Sequence, residues 1–281
     1  MIWSCVRFSV LATLIGFAYA YTWYWLYIRW TAADSFFAHG FIVPFIFLWL
    51  LYRRKEALAH LEPAPDLRGL LLVVPALLIH LMAVHTEVYS PSGFTLPVLL
   101  AGIVLYFWGW ARLKLLLFPI LFCFFAIPLP MTWVQSASFR LKIIAMHLST
   151  GLAGIAGVET REQGSYIFFN SGEHLLVGSP CSGLRSLVAL TALGFLYALE
   201  FLPLNALGRM IFIVLAVPIA MISNVLRITF LCLVAEHFGV PATTGIVHDA
   251  SGYGIYLVAL LLMIASGRIM SAIPFFKGRK A

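Results

Sequence analysis

The stretch that decides the fold is residues 210–235, which read MIFIVLAVPIAMISNVLRITFLCLVA. Arg227 is the single charged side chain in this run. As an α-helix the run would be about 39 Å long, because each residue adds about 1.5 Å, and the hydrocarbon core of a bilayer is about 30 Å thick. Only a helix or a closed barrel can carry a peptide backbone across that layer. The run therefore predicts a membrane-spanning helix.

The composition of the whole chain agrees with a membrane protein. Of 281 residues, 62% are hydrophobic and 10% are charged, and the mean hydropathy is +0.99. This excludes a secreted enzyme, a disordered regulator and a cytosolic nucleotide-binding domain. The net charge of +7 reflects 11 acidic residues against 18 Lys and Arg. Basic flanks of membrane helices explain that excess better than a nucleic-acid surface, so the expected partner is membrane lipid and not nucleic acid.

Seven further apolar runs have the length of a membrane crossing or nearly so. With the first run, the set comprises residues 8–28, 36–52, 69–84, 94–111, 115–130, 187–204, 210–235 and 252–267. The sequence therefore predicts an all-α integral membrane protein with eight transmembrane helices, in a single domain covering residues 1–281.

The basic residues between the runs predict the orientation. If both termini are cytoplasmic, twelve of the 18 bases lie on the cytoplasmic side, as the positive-inside rule requires. They are Arg7, Arg53, Arg54, Lys55, Arg68, Arg112, Lys114, Arg209, Arg268, Lys277, Arg279 and Lys280.

Residues 131–179 then lie on the outer side. Residues 131–157 alternate apolar and polar side chains in a way that suits a helix in the outer interface of the membrane. Residues 158–178 predict a small hairpin, with strands at 166–169 and 174–177 around Asn-Ser-Gly at 170–172.

Helix rise places three reactive side chains at this outer face. Arg227 follows Arg209 by about 27 Å of helix, and His248 precedes Arg268 by about 30 Å. Cys181 begins the helix that descends to the Arg209 loop. A thiol, a guanidinium and an imidazole therefore converge from three segments.

These residue types are suited to nucleophilic catalysis. A helix N-terminus after Pro180 favours the thiolate form of Cys181, and Arg185 adds positive charge one turn later. His248 would activate the thiol, and Arg227 would stabilise an oxyanion. Structural roles remain open for each residue alone: packing for the cysteine, lipid contact for the arginine and an ordinary loop position for the histidine.

The chain resembles the exosortase/archaeosortase family of multi-spanning cysteine transpeptidases between about residues 34 and 267. The resemblance rests on five blocks in order: AHGFIVP at 38–44, AIPLP at 126–130, PCSGLRSL at 180–187, NVLR at 224–227 and HDASG at 248–252. It implies that Cys181, Arg227 and His248 are the catalytic residues, in the bacterial exosortase version. Arg185, Asn224 and Ser182 are expected to support them.

The resemblance further implies a function and a location. Such a protein is a cysteine peptidase and transpeptidase that cleaves C-terminal sorting signals of the PEP-CTERM type through a thioester. Its partners are exported proteins bearing a short motif, a transmembrane helix and a basic tail. It lies in the bacterial cytoplasmic (inner) membrane, with its active site on the periplasmic face.

Three outer bases are candidates for docking the acidic sorting motif. Arg140 and Lys142 fall on the interfacial helix, and Arg161 falls on the loop that follows. Contact with lipid phosphates is an equal alternative for all three.

Other function classes remain as alternatives. A multi-pass transporter or lipid-modifying protein would leave Cys181 non-catalytic, since intramembrane Arg, His and Glu also mark ion or headgroup pathways. A serine protease using Ser182 lacks the Gly-x-Ser-x-Gly elbow. A zinc protease lacks HExxH and any pair of histidines four residues apart, so neither a metal nor a cofactor is expected.

Overall fold

The computed structural model of the chain describes residues 2–32, 35–178 and 183–278. It contains two compact units, Met1–Pro130 (unit 1) and Met131–Ala281 (unit 2). The single domain of residues 1–281 stays a prediction.

Helices make up the described part of unit 1. They are α1 (Ile2–Ala18), α2 (Ala20–Thr31), α3 (Val43–Arg53), α4 (Lys55–Ala59), α5 (Leu70–His85) and α6 (Tyr89–Phe122), with single-turn helices at Ala38–Phe41, Leu67–Gly69 and Cys123–Ala126. The predicted single helix over residues 8–28 is divided into two helices, because the helical geometry is interrupted at Tyr19. The Tyr19 ring is fully buried, stacks on His80 with ring centroids 3.7 Å apart and donates its hydroxyl proton to Thr95.

Helix α6 folds back on itself at Gly109. As a straight helix its 34 residues would reach about 51 Å, yet Ser90 Oγ near its start donates to the carbonyl oxygen of Pro128 beyond its end, at 2.8 Å. Gly109 makes the reversal possible, with φ of 83° and ψ of −178°, a conformation that is essentially confined to glycine. The two arms match the runs predicted at 94–111 and 115–130, but a single residue replaces the expected loop carrying Arg112 and Lys114.

One end of unit 1 is held by side chains that donate to the backbone after α6. Trp30 Nε1 donates to the carbonyl oxygen of Ala126 at 2.7 Å, and His39 Nε2 donates to that of Phe125 at 3.0 Å. Gly40 lies so close to the Trp30 ring that it has no room for a side chain. The blocks AHGFIVP and AIPLP therefore pack together and satisfy carbonyl groups that no helix bonds.

The opposite end of unit 1 lies at the α6 reversal. Arg112 donates to the carbonyl oxygen of Leu61 at 2.6 Å, and the guanidinium of Arg54 lies 5.4 Å from the centre of the Phe118 ring. Two of the basic residues predicted to share one side, Arg112 and Arg54, therefore lie on or beside the second arm of α6.

The described residues of unit 2 form four α-helices and a small sheet. Its elements are α7 (Met131–Ile155), β1 (Thr160–Gln163), β2 (Tyr166–Phe169), β3 (His174–Leu176), α8 (Leu184–Glu200), α9 (Ala206–Phe238) and α10 (Gly245–Ala272), with single-turn helices at Val240–Thr243 and Pro274–Phe276. The sheet is antiparallel in the order β1-β2-β3, so the predicted hairpin is confirmed and gains a third strand.

Helix α9 is the centre of unit 2 and packs on two sides. One side, with Ile228 and Cys232, joins a core made with α7 and the buried sheet residues Ile167 and Phe169. The other side, with Phe212 and Ala216 among others, packs against α8 and α10. The apolar face of the helix is thus covered by four different elements.

The ends of unit 2 differ in what they carry. At one end the backbone of Asn205 and Gly278 bonds to Phe276 and Pro203, which ties the start of α9 to the chain after α10. At the other end the carboxylate of Glu173, beside β3, accepts from the backbone N–H of Val240 at 2.7 Å. The sheet therefore sits at the C-terminal end of α9.

The chain is an integral membrane protein. Four described helical segments are long and apolar enough to cross a bilayer: Leu67–His85, Tyr89–Ala126, Ala206–Phe238 and Gly245–Ala272. The second contains both arms of the α6 hairpin. The predicted count of eight crossings is not confirmed, since α3 and the described apolar part of α1 are shorter helices.

We expect Gly109→Ala to unfold the α6 hairpin. A methyl group at this φ is strained by about 1–3 kcal/mol, and it would also overlap the carbonyl oxygen of Ala64. The loss in free energy of unfolding should exceed about 3 kcal/mol, as measured by thermal unfolding of the purified protein in detergent. The control is Gly151→Ala, a helical position with open space around it, which should match the wild type or be slightly more stable. Equal melting temperatures for the two variants would contradict this account of the reversal.

Candidate active site

Helix α8 starts at a position that only glycine can occupy. Gly183, its N-terminal cap, has φ of 76°, and an added Cβ would stand 2.7 Å from Nδ2 of Asn224 on α9. Ser186 Oγ and Leu187 N both donate to the carbonyl oxygen of Gly183. The close approach fixes the start of α8 against α9, one turn before Arg227.

Arg227 and His248 meet at this end of unit 2. Arg227 lies on α9, and His248 lies in the first turn of α10, so the histidine is helical and does not sit in a loop. Arg227 Nη2 is 3.3 Å from His248 Nε2, and Arg227 Nε donates to Ser251 Oγ at 3.1 Å. The guanidinium is therefore held by two side chains of the neighbouring helix.

The hydrogen bonds fix the protonation of the imidazole. A guanidinium has donors and no acceptor, so Nε2 of His248 accepts from Arg227 and carries no proton. His248 is thus neutral in this arrangement, with its proton on Nδ1. Ser251 donates its own proton to the carbonyl oxygen of His248 at 2.7 Å, which leaves its lone pair free for Arg227.

A polar cleft of about 240 Å³ opens beside this pair. Its lining comes from α8, α9 and α10 and includes Arg185, Ser186, Arg227, His248, Asp249, Gly252, Tyr253 and Tyr256. The guanidinium groups of Arg185 and Arg227 both lie near enough to Tyr256 for an electrostatic interaction. An apolar cavity of about 430 Å³ between α9 and α10 shares Arg227 and Ile255 with the cleft.

Two of the predicted site residues lie outside the described residues. They are Cys181, the expected nucleophile, and Ser182. The structure brings together Arg185, Arg227 and His248 around the cleft and places buried Asn224 next to the start of α8. These roles stay predictions.

The three bases predicted to dock an acidic motif do not line the cleft. Arg140 is exposed on α7, and Arg161 is exposed on β1. Lys142 donates to Ser165 Oγ at 2.6 Å and lies over the Phe139 ring, with its ammonium 5.2 Å from the ring centre. The docking role of these three residues stays a prediction for a different part of the surface.

Sequence reasoning missed Ser251 and Tyr256. Ser251 stands three residues after His248, a spacing that puts both on one helix face, and this was the available signal. Tyr256 gave no signal, because an aromatic residue in an apolar helix is ordinary. Within the described residues, no cluster of three His, Cys, Asp or Glu side chains could hold a metal ion.

Comparison with known families agrees with these observations. The family model described as Transmembrane exosortase (Exosortase_EpsH) matches residues 30–265, which is most of the chain. The chain therefore belongs to the transmembrane exosortase family. Neither a curated protein nor a solved structure matches it significantly.

We expect Ser251→Ala to release Arg227 without unfolding the protein. The variant removes the acceptor of Arg227 Nε, so the guanidinium should react several-fold faster with phenylglyoxal, as followed by mass spectrometry of the labelled peptide. The matched control is Ser271→Ala, because Ser271 is also on α10 and its hydroxyl donates to the carbonyl oxygen of Gly267, away from Arg227. Unchanged labelling of Arg227 in Ser251→Ala would show that Ser251 does not hold it.

Proposed function

We propose that this protein is a membrane cysteine transpeptidase that cleaves C-terminal sorting signals of exported proteins. Family membership supports a membrane transpeptidase role. The observation that carries the proposal is the hydrogen-bonded pair of Arg227 and His248 in a cleft whose wall includes the first turn of α8. A base and a fixed cation side by side are what thiol acylation requires.

Chain connectivity supports Cys181 as the nucleophile. Cys181 precedes Gly183 by two residues, and two residues span at most about 7 Å. Gly183 contacts Asn224, one helical turn from Arg227. The proposal therefore requires the thiol to span only this short distance, and the N-terminus of the 17-residue helix α8 would favour its thiolate form.

The first half of the reaction forms a thioester. The thiol of Cys181 gives its proton to Nε2 of His248, and the sulfur attacks the scissile carbonyl carbon. The tetrahedral oxyanion that results accepts hydrogen bonds from Arg227. When the C–N bond breaks, His248 returns the proton to the leaving amine, so the acyl group remains on sulfur.

Nη2 of Arg227 has two successive partners in this scheme, first His248 and then the oxyanion. In the free protein Nη2 donates to His248 Nε2 at 3.3 Å, which is long for a hydrogen bond and easily exchanged. Transfer of that donor to the oxyanion frees the Nε2 lone pair for the thiol proton. The Ser251 bond at Nε keeps the guanidinium in place during the exchange.

The second half of the reaction sets the product. An amine acceptor attacks the thioester carbonyl in transpeptidation, and water does so in hydrolysis. The substrate is an exported protein with a PEP-CTERM-type motif, a transmembrane helix and a basic tail. With both termini of the enzyme cytoplasmic and eight crossings of the inner membrane, that tail would stay inside and the motif would meet the cleft at the periplasmic face.

We expect Cys181→Ser to stop substrate cleavage while the protein remains folded and inserted. A serine hydroxyl ionises far less readily than a thiol, so the acyl-enzyme does not form. Pulse-chase of a tagged substrate in membranes measures the loss. Cys123→Ser, which removes a thiol in unit 1, is the control and should process normally. Normal processing by Cys181→Ser would refute Cys181 as the nucleophile and with it the proposed mechanism.

Arg227 and His248 should fail in different ways. Arg227→Lys keeps the charge but loses the planar fork, and the rate should drop roughly a hundred- to thousandfold at every pH. His248→Ala removes the base, so its rate should rise toward alkaline pH as hydroxide deprotonates Cys181 directly. Processing rate against pH in membranes distinguishes the two. Equal, pH-independent losses would instead assign both residues to folding or substrate binding.

A further inference from the structure

Arg185 is the second guanidinium in the cleft and has no role in the reaction steps above. It lies in the first turn of α8 and lines the cleft with Arg227 and Tyr256. Its Nε atom is buried, and no hydrogen-bond partner reaches it among the described residues. A buried N–H without a partner is costly, and because Arg185 also lines an open cleft, a ligand in that cleft could supply the acceptor.

The charges around the cleft point to an anion. Arg185 and Arg227 both face it, and Asp249 is the one carboxylate in its described lining. Asp249 is exposed, and within residues 183–278 it forms no ion pair with either arginine. Two positive charges in a partly dry cleft repel each other, and an anionic group would offset that repulsion.

Arg227 is already engaged, because its Nε is bonded to Ser251 and its Nη2 to His248. Nε of Arg185 has no partner among the described residues, and a guanidinium matches a carboxylate through two parallel hydrogen bonds. The cleft volume of about 240 Å³ suits a short piece of a peptide rather than a larger molecule.

We propose that Arg185 binds a carboxylate side chain of the substrate next to the scissile bond and thereby selects substrates with an acidic sorting motif. This inference rests on the proposed function. It moves the docking of the acidic residue from Arg140, Lys142 and Arg161 into the cleft itself. Arg185 is then a specificity-determining residue, and Arg227 remains the residue that acts on the oxyanion.

The test compares two substrates in two enzymes. The substrates carry Glu or Gln at the acidic motif position, and the enzymes are the wild type and Arg185→Gln. The wild type should cleave the Glu substrate roughly ten- to a hundredfold faster in kcat/KM, the range expected for a hydrogen-bonded charge. Arg185→Gln should cleave the two substrates at nearly equal rates, because the Glu substrate alone loses its partner.

The control enzyme is Arg209→Gln. Arg209 also has a buried Nε without a hydrogen-bond partner in the described residues, but it lies near the start of α9, far along that helix from the cleft. This variant should keep the wild-type ratio between the Glu and Gln substrates. If the ratio of Glu to Gln substrate cleavage falls equally in Arg185→Gln and Arg209→Gln, the assignment of Arg185 as the carboxylate-binding residue is overturned. Loss of an arginine outside the cleft would then have the same effect as loss of Arg185.

A binding measurement covers the case of an inactive Arg185→Gln enzyme. In a Cys181→Ser background, a fluorescent Glu peptide should bind more tightly than its Gln counterpart, and adding Arg185→Gln should remove the difference. A difference that persists would overturn the inference on Arg185 and leave the transpeptidase proposal standing. If Cys181→Ser processes substrate normally, the proposed function itself fails.

Discussion

The hydrocarbon core of a membrane offers no hydrogen-bond partner to a peptide group, and this constraint accounts for how both units are built. Regular helices satisfy their own backbone, so problems arise only where a helix ends or breaks. In unit 1 the carbonyl groups after α6 accept hydrogen bonds from Trp30, His39 and Ser90. In unit 2 the carbonyl of Gly183 takes two donors from its own helix. Three of the five family blocks, at 38–44, 126–130 and 180–187, therefore contribute to places where backbone groups need side-chain or local partners.

The sequence predicted the elements that depend on composition and chain length. The run at 69–84 became α5 within one residue at each end, and the run at 210–235 lies inside α9, which begins four residues earlier and ends three residues later. An apolar run of that length has one stable form in a bilayer. The hairpin around 170–172 followed from its turn residues. Helix rise from Arg209 and Arg268 was enough to predict that Arg227 and His248 meet, and their hydrogen bond agrees.

What the sequence could not predict are features set by contacts between distant segments. The break at Tyr19 lies inside an unbroken apolar run and depends on partners in α5 and α6. The sequence predicted a turn between the runs 94–111 and 115–130, but Gly109 looks in sequence like one glycine among 21, and only its φ and the carbonyl of Ala64 show that it makes the turn. Ser251 is similar, since its importance comes from a guanidinium on another helix. Hydropathy predicts which segments lie in the membrane. It says little about which distant groups a segment must contact or hydrogen-bond.

Helix α9 does not stop at Arg227. It continues to Phe238, about 16 Å further. The sheet packs against this extension, where Cys232 and Ala235 belong to the same buried core as the sheet residues. Protein therefore extends about 16 Å beyond the level of Arg227 on the side of the sheet. Under the proposed function, a folded domain of an exported protein that approaches from this side would meet the sheet before its scissile bond reached the cleft. It would have to be joined to its scissile bond by at least about five residues of extended chain, because each spans at most about 3.5 Å. A sorting signal fused directly to a folded domain, with no linker, would be a poor substrate however well its motif matched.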